Sequence, residues 1–84
     1  MKTPSQLRWA CRRGMLELDV LLGNFLEEAY FSLDEKDKEI FIRLLDFSDP
    51  DLFIYLTGEK TPAHPDIKYM IERIRKHAET RHSS

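Results

Sequence analysis

Residues 12–29 read RRGMLELDVLLGNFLEEA and carry the most regular hydrophobic pattern in the chain. The pattern predicts a central α-helix over residues 15–31, because its apolar residues recur at the spacing of one helical face. Gly23 and Asn24 fall on the opposite face, where the close approach of a neighbouring backbone would explain a glycine. The residues predicted to face the core are Leu18, Leu21, Leu22, Phe25, Leu26 and Ala29.

Gly14 marks the point where one helical pattern stops and the next begins. We predict that it ends the first helix with a positive φ, which glycine adopts without steric cost. Arg12 and Arg13 then lie in the last turn of the first helix, whereas Glu17 and Asp19 lie in the first turns of the second. Each charge suits its end of a helix dipole. Spacing alone therefore favours a helix-end role for these charges over a functional patch.

The first helix is expected to begin with Thr3 as its N-cap and Pro4 as its first helical residue. Trp9 lies off the apolar face of this helix, so it either covers the edge of a small core or is exposed. An exposed Trp9 beside Arg12 would have the composition of an interface anchor, since tryptophan and arginine dominate binding energies. The apolar face consists of Leu7, Ala10 and Cys11.

Three further helices are predicted after the central one. A capping box that starts at Ser32 opens the third helix. Asp49 as N-cap opens the fourth, which stops at Gly58. The fifth opens at residues 64–66, and residues from about 79 onward are expected to fray. The residues predicted to face the core are Ile40, Phe41, Leu44 and Leu45 in the third helix and Ile67, Met70, Ile71, Ile74 and Ala78 in the fifth.

Length and composition predict one all-α domain over residues 1–84, because 84 residues suffice for a single small core. A hydrophobic content of 42% and a charged content of 33% are typical of a soluble globular chain. No apolar stretch is long enough to span a bilayer, and no signal-peptide pattern is found. Cys11 is the single cysteine, which suits a reducing cytosol. We therefore expect a cytoplasmic protein without membrane insertion.

Residue types and spacing give little support to catalysis, metal binding or nucleic-acid binding. Cys11 lies on an apolar helical face, and all three histidines occur from residue 64 onward. His77 and His82 are five residues apart, not the three or four that align two ligands on one helical face. The net charge of −2 argues against tight nonspecific binding to nucleic acid. The sequence predicts a non-enzymatic interaction protein that offers a surface and binds no cofactor stably.

Two segments resemble signatures of the succinate dehydrogenase flavinylation factors, the small assembly proteins of bacteria and mitochondria. Residues 13–19, RGMLELD, match the Arg-Gly-x-x-Glu signature of that family. Residues 49–53, DPDLF, followed by an aromatic at Tyr55, match a second segment. The preceding WACRR at residues 9–13 looks like the bacterial branch. The resemblance covers about residues 7–58 and has both segments in the order and at the separation of the family.

This resemblance implies a compact five-helix bundle and a specific function. Proteins of the family bind the flavoprotein subunit of succinate dehydrogenase, and often that of fumarate reductase. They promote covalent attachment of FAD to a histidine of that subunit. The chain would thus act on the FAD of its partner, as a monomer, by holding the partner where histidine and flavin meet.

Carried over by position, Arg13, Gly14 and Glu17 would form the contact motif, with Met15 and Asp19 beside it. This prediction requires the Arg13 and Glu17 side chains to point outward. The alternative function is an antitoxin-like or regulatory module that binds another cytosolic protein. The remaining predicted partner-binding residues are Trp9, Arg12, Asp49 and Asp51.

Overall fold

Five α-helices and no strand make up the chain in the computed structural model, which describes the backbone of residues 4–83 and the side chains of residues 5–81. A 3₁₀ turn, Tyr30–Ser32, connects the second helix to the third. The prediction of a compact all-α, five-helix bundle is confirmed. The helices are α1, Pro4–Cys11; α2, Leu16–Glu28; α3, Glu35–Leu44; α4, Asp49–Leu56; and α5, Pro65–Ser83.

The central helix α2 packs against α1, α4 and α5, so it touches most of the bundle. Its predicted apolar face is buried, with Leu21 and Ala29 only partly covered. The Phe25 ring stacks on the Phe41 ring of α3 with centroids 5.4 Å apart. Full burial of one such side chain contributes about 1.5–3 kcal/mol, so this face fixes how α2 sits in the bundle. The fully buried residues of α2 are Leu18, Leu22, Phe25 and Leu26.

Helix α3 begins two residues later than the predicted capping box. Asp34 is its N-cap, and the Asp34 carboxylate accepts a hydrogen bond of 2.8 Å from the backbone N–H of Asp37. Ser32 cannot serve as N-cap because it belongs to the 3₁₀ turn, whereas Asp34 has the extended backbone that an N-cap needs. The predicted cap at Ser32 was therefore wrong, although the predicted helix is present.

Helix α4 is capped by Ser48 and not by Asp49. The Ser48 hydroxyl accepts a hydrogen bond of 3.3 Å from the backbone N–H of Asp51. Asp49 is the first helical residue instead, and its carboxylate is directed away from the end of its own helix. The N-cap predicted for α1, Thr3, lies outside the described residues.

Gly58 ends α4 as predicted, whereas Gly14 and Gly23 differ from their predictions. Gly14 does not have a positive φ; among the described residues, Gly58 is the glycine that has one, with φ 85°, where α4 ends. A Cβ built on Gly23 would meet no atom within 4 Å, so no neighbouring backbone explains that glycine. The chain therefore turns from α1 to α2 without a left-handed backbone conformation at Gly14.

Helix α5 continues to Ser83, past residue 79, from which the chain was predicted to fray. Polar contacts with Glu28 at the end of α2 accompany this extension. The Glu28 carboxylate lies 3.0 Å from His77 Nε2 and 2.7 Å from Arg81 Nε. Both partners lower the pKa of Glu28, and the Arg81 hydrogen bond does so most. Across residues 4–83, no helix combines the length and apolar character that crossing a membrane requires.

Candidate functional site

The Arg13 side chain points into its own chain. Its guanidinium donates hydrogen bonds to the backbone carbonyls of Leu45 and Phe47, the latter at 3.2 Å. Only 14% of the side chain is exposed. Both carbonyls lie just after α3, where the negative end of the helix dipole favours a cation. Arg13 therefore fastens the α1–α2 junction to the segment between α3 and α4.

This geometry differs from the outward orientation that the partner-binding prediction requires for Arg13. The fork shape of a guanidinium explains the difference, since it can serve two carbonyls and a carboxylate at once. The buried Nε of Arg13 has no hydrogen-bond partner among the described residues. A direct role of Arg13 in partner binding remains a prediction.

Asp49 joins the two segments that carry the family resemblance. One oxygen, Oδ1, lies 3.4 Å from Arg13 Nη1. The other, Oδ2, accepts a hydrogen bond of 3.2 Å from the backbone N–H of Gly14. A Cβ on Gly14 would lie 3.6 Å from this Oδ2, which is ordinary contact. The Arg13-Gly14 pair and the first turn of α4 thus form one connected unit.

Asp19 holds the same junction from the other side. Its Oδ1 accepts a hydrogen bond of 3.4 Å from the backbone N–H of Arg13. Two successive backbone N–H groups, those of Arg13 and Gly14, are therefore satisfied by carboxylates that come from different helices. Asp19 is half-buried, and its carboxylate helps to hold the backbone of the junction in place.

Glu17 is exposed and takes no part in these contacts. No hydrogen bond or ion pair of Glu17 occurs within the part of the chain that the structure describes. Its outward orientation agrees with the prediction for this residue. Leu16 is 76% exposed and Val20 is 50% exposed, and both lie within one turn of Glu17. We call Met15, Leu16, Glu17 and Val20 the α2 surface.

Leu16 and Val20 were missed as candidate residues by sequence reasoning. The signal was available, because both are apolar, four residues apart, and off the predicted core face of α2. Apolar residues on the solvent side of a helix, around an unpaired carboxylate, are suited to contact with another protein.

Trp9 and Arg12 form a second exposed feature near the junction. Trp9 is 75% exposed, so of the two alternatives for this residue the structure has the exposed one. The Arg12 guanidinium carbon lies 5.9 Å from the centre of the Trp9 ring, within range of a cation–π contact. Asp51, in the first turn of α4, is also exposed.

Cys11 is buried behind the junction, and burial raises the pKa of its thiol to about 11, partly offset by the charge of Arg13. A thiol with this pKa stays protonated at neutral pH and is a poor nucleophile. The described residues contain no group of three or more His, Cys, Asp or Glu side chains arranged to hold a metal ion.

Comparison with known proteins places this architecture in a family. The family model described as "Flavinator of succinate dehydrogenase" matches residues 5–78. A protein of Coxiella burnetii named "FAD assembly factor SdhE" is 51% identical over 69 residues, which cover 82% of this chain and 84% of that protein. A protein of Shewanella oneidensis with the same name is 45% identical over 71 residues, covering 84% of this chain and 87% of that protein.

A solution structure described as that of a UPF0350 protein has the same fold. It is similar to this chain with a TM-score of 0.76 and 39% sequence identity, over 96% of this chain and 89% of that one. The family resemblance inferred from the two sequence segments is thereby confirmed. This chain belongs to the Flavinator of succinate dehydrogenase family.

Proposed function

We propose that this chain is an assembly factor that binds the flavoprotein subunit of succinate dehydrogenase and promotes covalent attachment of FAD to it. The observation that carries the proposal is similarity over more than four fifths of the chain to proteins named FAD assembly factor. Those names also favour an assembly role over the antitoxin-like alternative. The proposal extends to the flavoprotein subunit of fumarate reductase, whose FAD would be attached in the same way.

The site supports a positioning role. Glu17 offers a free carboxylate, and Leu16 and Val20 offer apolar area beside it. A partner surface with a cation set among apolar groups would match the α2 surface, since such pairs combine charge complementarity with buried area. Docking there holds the flavoprotein subunit in the arrangement where its histidine meets the flavin ring. Correct placement of two reacting groups can lower a barrier without any catalytic group from the assembly factor.

The finer parts of the proposal concern the chain itself. It acts without being an enzyme, because the bond forms within the flavoprotein subunit. It uses the FAD of its partner and holds none stably. It works in the cytoplasm as a monomer and binds no nucleic acid. Purified chain without flavin absorbance, with the mass of a single chain in solution, would agree with these statements.

The test is a flavinylation assay with purified components. The flavoprotein subunit is produced without covalent flavin and incubated with FAD, with and without this chain. Covalent flavin is then read as fluorescence of the subunit band in a denaturing gel. We expect the chain to increase the rate of covalent attachment. Equal rates with and without the chain, for both the succinate dehydrogenase and the fumarate reductase subunits, would reject the proposed function.

A further inference from the structure

Both carboxylate oxygens of Asp49 are engaged by contacts inside its own chain. Each carboxylate oxygen has a separate donor, Nη1 of Arg13 for one and the backbone N–H of Gly14 for the other. The side chain is only 26% exposed. With both oxygens engaged and most of the side chain covered, little of this carboxylate is accessible to a partner. Asp49 is therefore better suited to fix the junction than to contact another protein.

The junction between α1 and α2 depends on such side-chain contacts. Helix α1 ends at Cys11 and α2 begins at Leu16. Between them, the N–H groups of Arg13 and Gly14 bond to carboxylates and not to helix carbonyls. Met15, the N-cap of α2, makes no side-chain cap. The start of α2 is thus held by contacts that come from α4 and from Asp19.

We propose that Asp49 is a positioning residue, which orders the first turn of α2 and so presents Glu17 to the partner. Glu17 follows Gly14 by three residues, in the turn whose entry Asp49 fixes. A contact group held in its bound orientation before docking loses less conformational entropy on binding. This inference rests on the proposed function for its effect on binding, whereas its effect on the junction concerns the chain alone.

The first test uses the chain alone and the substitution Asp49→Asn. Asparagine keeps the shape but has an NH2 group in place of one oxygen. Because the remaining oxygen is expected to face the charged Arg13, the NH2 group faces the Gly14 N–H and cannot accept from it. Amide hydrogen exchange of Gly14 and of the first turn of α2 should rise about tenfold, as expected when a hydrogen bond worth about 1.4 kcal/mol is lost. Asp46→Asn is the matched control, because Asp46 is exposed and its side chain makes no hydrogen bond or ion pair within residues 5–81. Unchanged exchange at Gly14 would overturn the inference.

The second test separates positioning from direct contact. Affinity for the flavoprotein subunit is measured for Asp49→Asn, for Glu17→Gln and for the double variant. If Asp49 acts through Glu17, Asp49→Asn should weaken binding about tenfold in the native chain and less than about twofold in the Glu17→Gln chain, because coupled sites are not additive. Equal losses in both backgrounds would mean that Asp49 touches the partner itself and would reject the positioning role.

The same measurements keep this inference apart from the proposed function. If the native chain neither binds the flavoprotein subunit nor promotes flavinylation, the proposed function fails, while the exchange of the Gly14 amide still decides the role of Asp49 in the junction. If the native chain works and Asp49→Asn equals it in both exchange and affinity, the positioning role fails and the proposed function stands.

Discussion

Nη1 of Arg13 lies 3.4 Å from Oδ1 of Asp49, although the two residues are 36 positions apart in the sequence. The pair links the end of the α1–α2 junction to the first residue of α4, and both residues belong to the segments that carry the family resemblance. Those segments are thus parts of one structural unit. An exposed Glu17 stands next to that unit on α2. Under the proposed function, Arg13 and Asp49 serve stability and Glu17 serves recognition, and substitutions can test this division.

Arg13→Ala should destabilise the fold strongly. The substitution removes the Arg13 donors from the Leu45 and Phe47 carbonyls and from Oδ1 of Asp49, while Oδ2 keeps the Gly14 N–H. Removal of one partner of a buried charge pair costs about 3–5 kcal/mol in general. Because Asp49 is only half-buried, we expect Arg13→Ala to lower the free energy of unfolding by about 2–3 kcal/mol. Urea denaturation followed by circular dichroism measures it.

Arg12→Ala is the control for this measurement, because Arg12 is exposed and the Trp9 ring is the one side-chain partner it has among residues 5–81. We expect it to change the free energy of unfolding by less than about 1 kcal/mol. Equal stability of Arg13→Ala and the native chain would show that the guanidinium is not engaged between α3 and α4, and Arg13 would again be a candidate for direct partner contact.

Gly14→Ala should leave the fold intact. Gly14 has no positive φ, and an added Cβ would meet the Asp49 carboxylate at an ordinary 3.6 Å. Alanine also reduces the conformational freedom of the unfolded chain, so stability should stay within about 1 kcal/mol of the native value. If Gly14→Ala or Gly14→Arg stays folded, a change in its flavinylation rate must come from the altered surface at residue 14 and not from unfolding. A large loss of stability in Gly14→Ala would instead point to strain at the junction.

Glu17→Ala should impair partner binding and flavinylation while leaving the fold unchanged. Glu17 is exposed and has no described hydrogen bond, so its removal should alter the free energy of unfolding by less than about 0.5 kcal/mol. If Glu17 is the charged centre of the interface, its truncation should weaken the binding free energy by about 2 kcal/mol or more. Glu72→Ala, an exposed glutamate on α5, is the matched control and should bind normally. Normal binding by Glu17→Ala would remove this residue from the site.

The helices and the core could be predicted from the sequence because both follow from local periodicity. Leu18, Leu22 and Phe25 recur at helical spacing, and such a face has few ways to be buried. The helix starts were less certain, since neighbouring Ser and Asp residues compete as caps. At α3 and α4 the competition was decided by backbone conformation, in favour of Asp34 and Ser48.

The contact between Arg13 and Asp49 could not be predicted in the same way. The local pattern does not indicate which helix ends lie next to each other in the fold. Both Arg13 and Asp49 also suited a role at the end of their own helix, so no further contact was required to explain them. The exposure of Trp9 depended likewise on where α1 packs against α2. Glu17 could be placed correctly because its position off the apolar stripe follows from α2 alone.

Trp9 fluorescence should report partner binding directly. Trp9 is the only tryptophan in the chain and is 75% exposed, so its emission should be close to that of tryptophan in water. Burial against the flavoprotein subunit should shift the Trp9 emission to shorter wavelength. The emission of the partner's own tryptophans is measured in a complex with the Trp9→Phe chain and subtracted. Trp9→Ala should lower affinity by about tenfold or more if Trp9 is an anchor. An unchanged spectrum on a complex that forms would place Trp9 outside the interface.

Stability should fall in alkaline solution because of Cys11. Burial raises the pKa of this thiol from 9.0 to about 11, so the folded chain holds the proton more tightly than the unfolded chain. The stabilising contribution of the protonated thiol is complete below pH 9.0 and is lost as the pH rises towards about 11. The total loss of stability is about 2–3 kcal/mol. Urea midpoints at about pH 8 and about pH 10.5 measure this loss.

Cys11→Ala separates the thiol from the other groups that titrate in this range, including Tyr30, whose pKa burial also raises. The substitution leaves a small cavity and lowers stability at every pH, but the decline between the two pH values should be smaller than in the native chain. Alkylation of native Cys11 by iodoacetamide should be slow at neutral pH and become rapid in urea, since the thiol is both buried and protonated in the folded state. An identical decline in both chains, or rapid alkylation of the folded protein, would mean that Cys11 is accessible and titrates as an ordinary thiol.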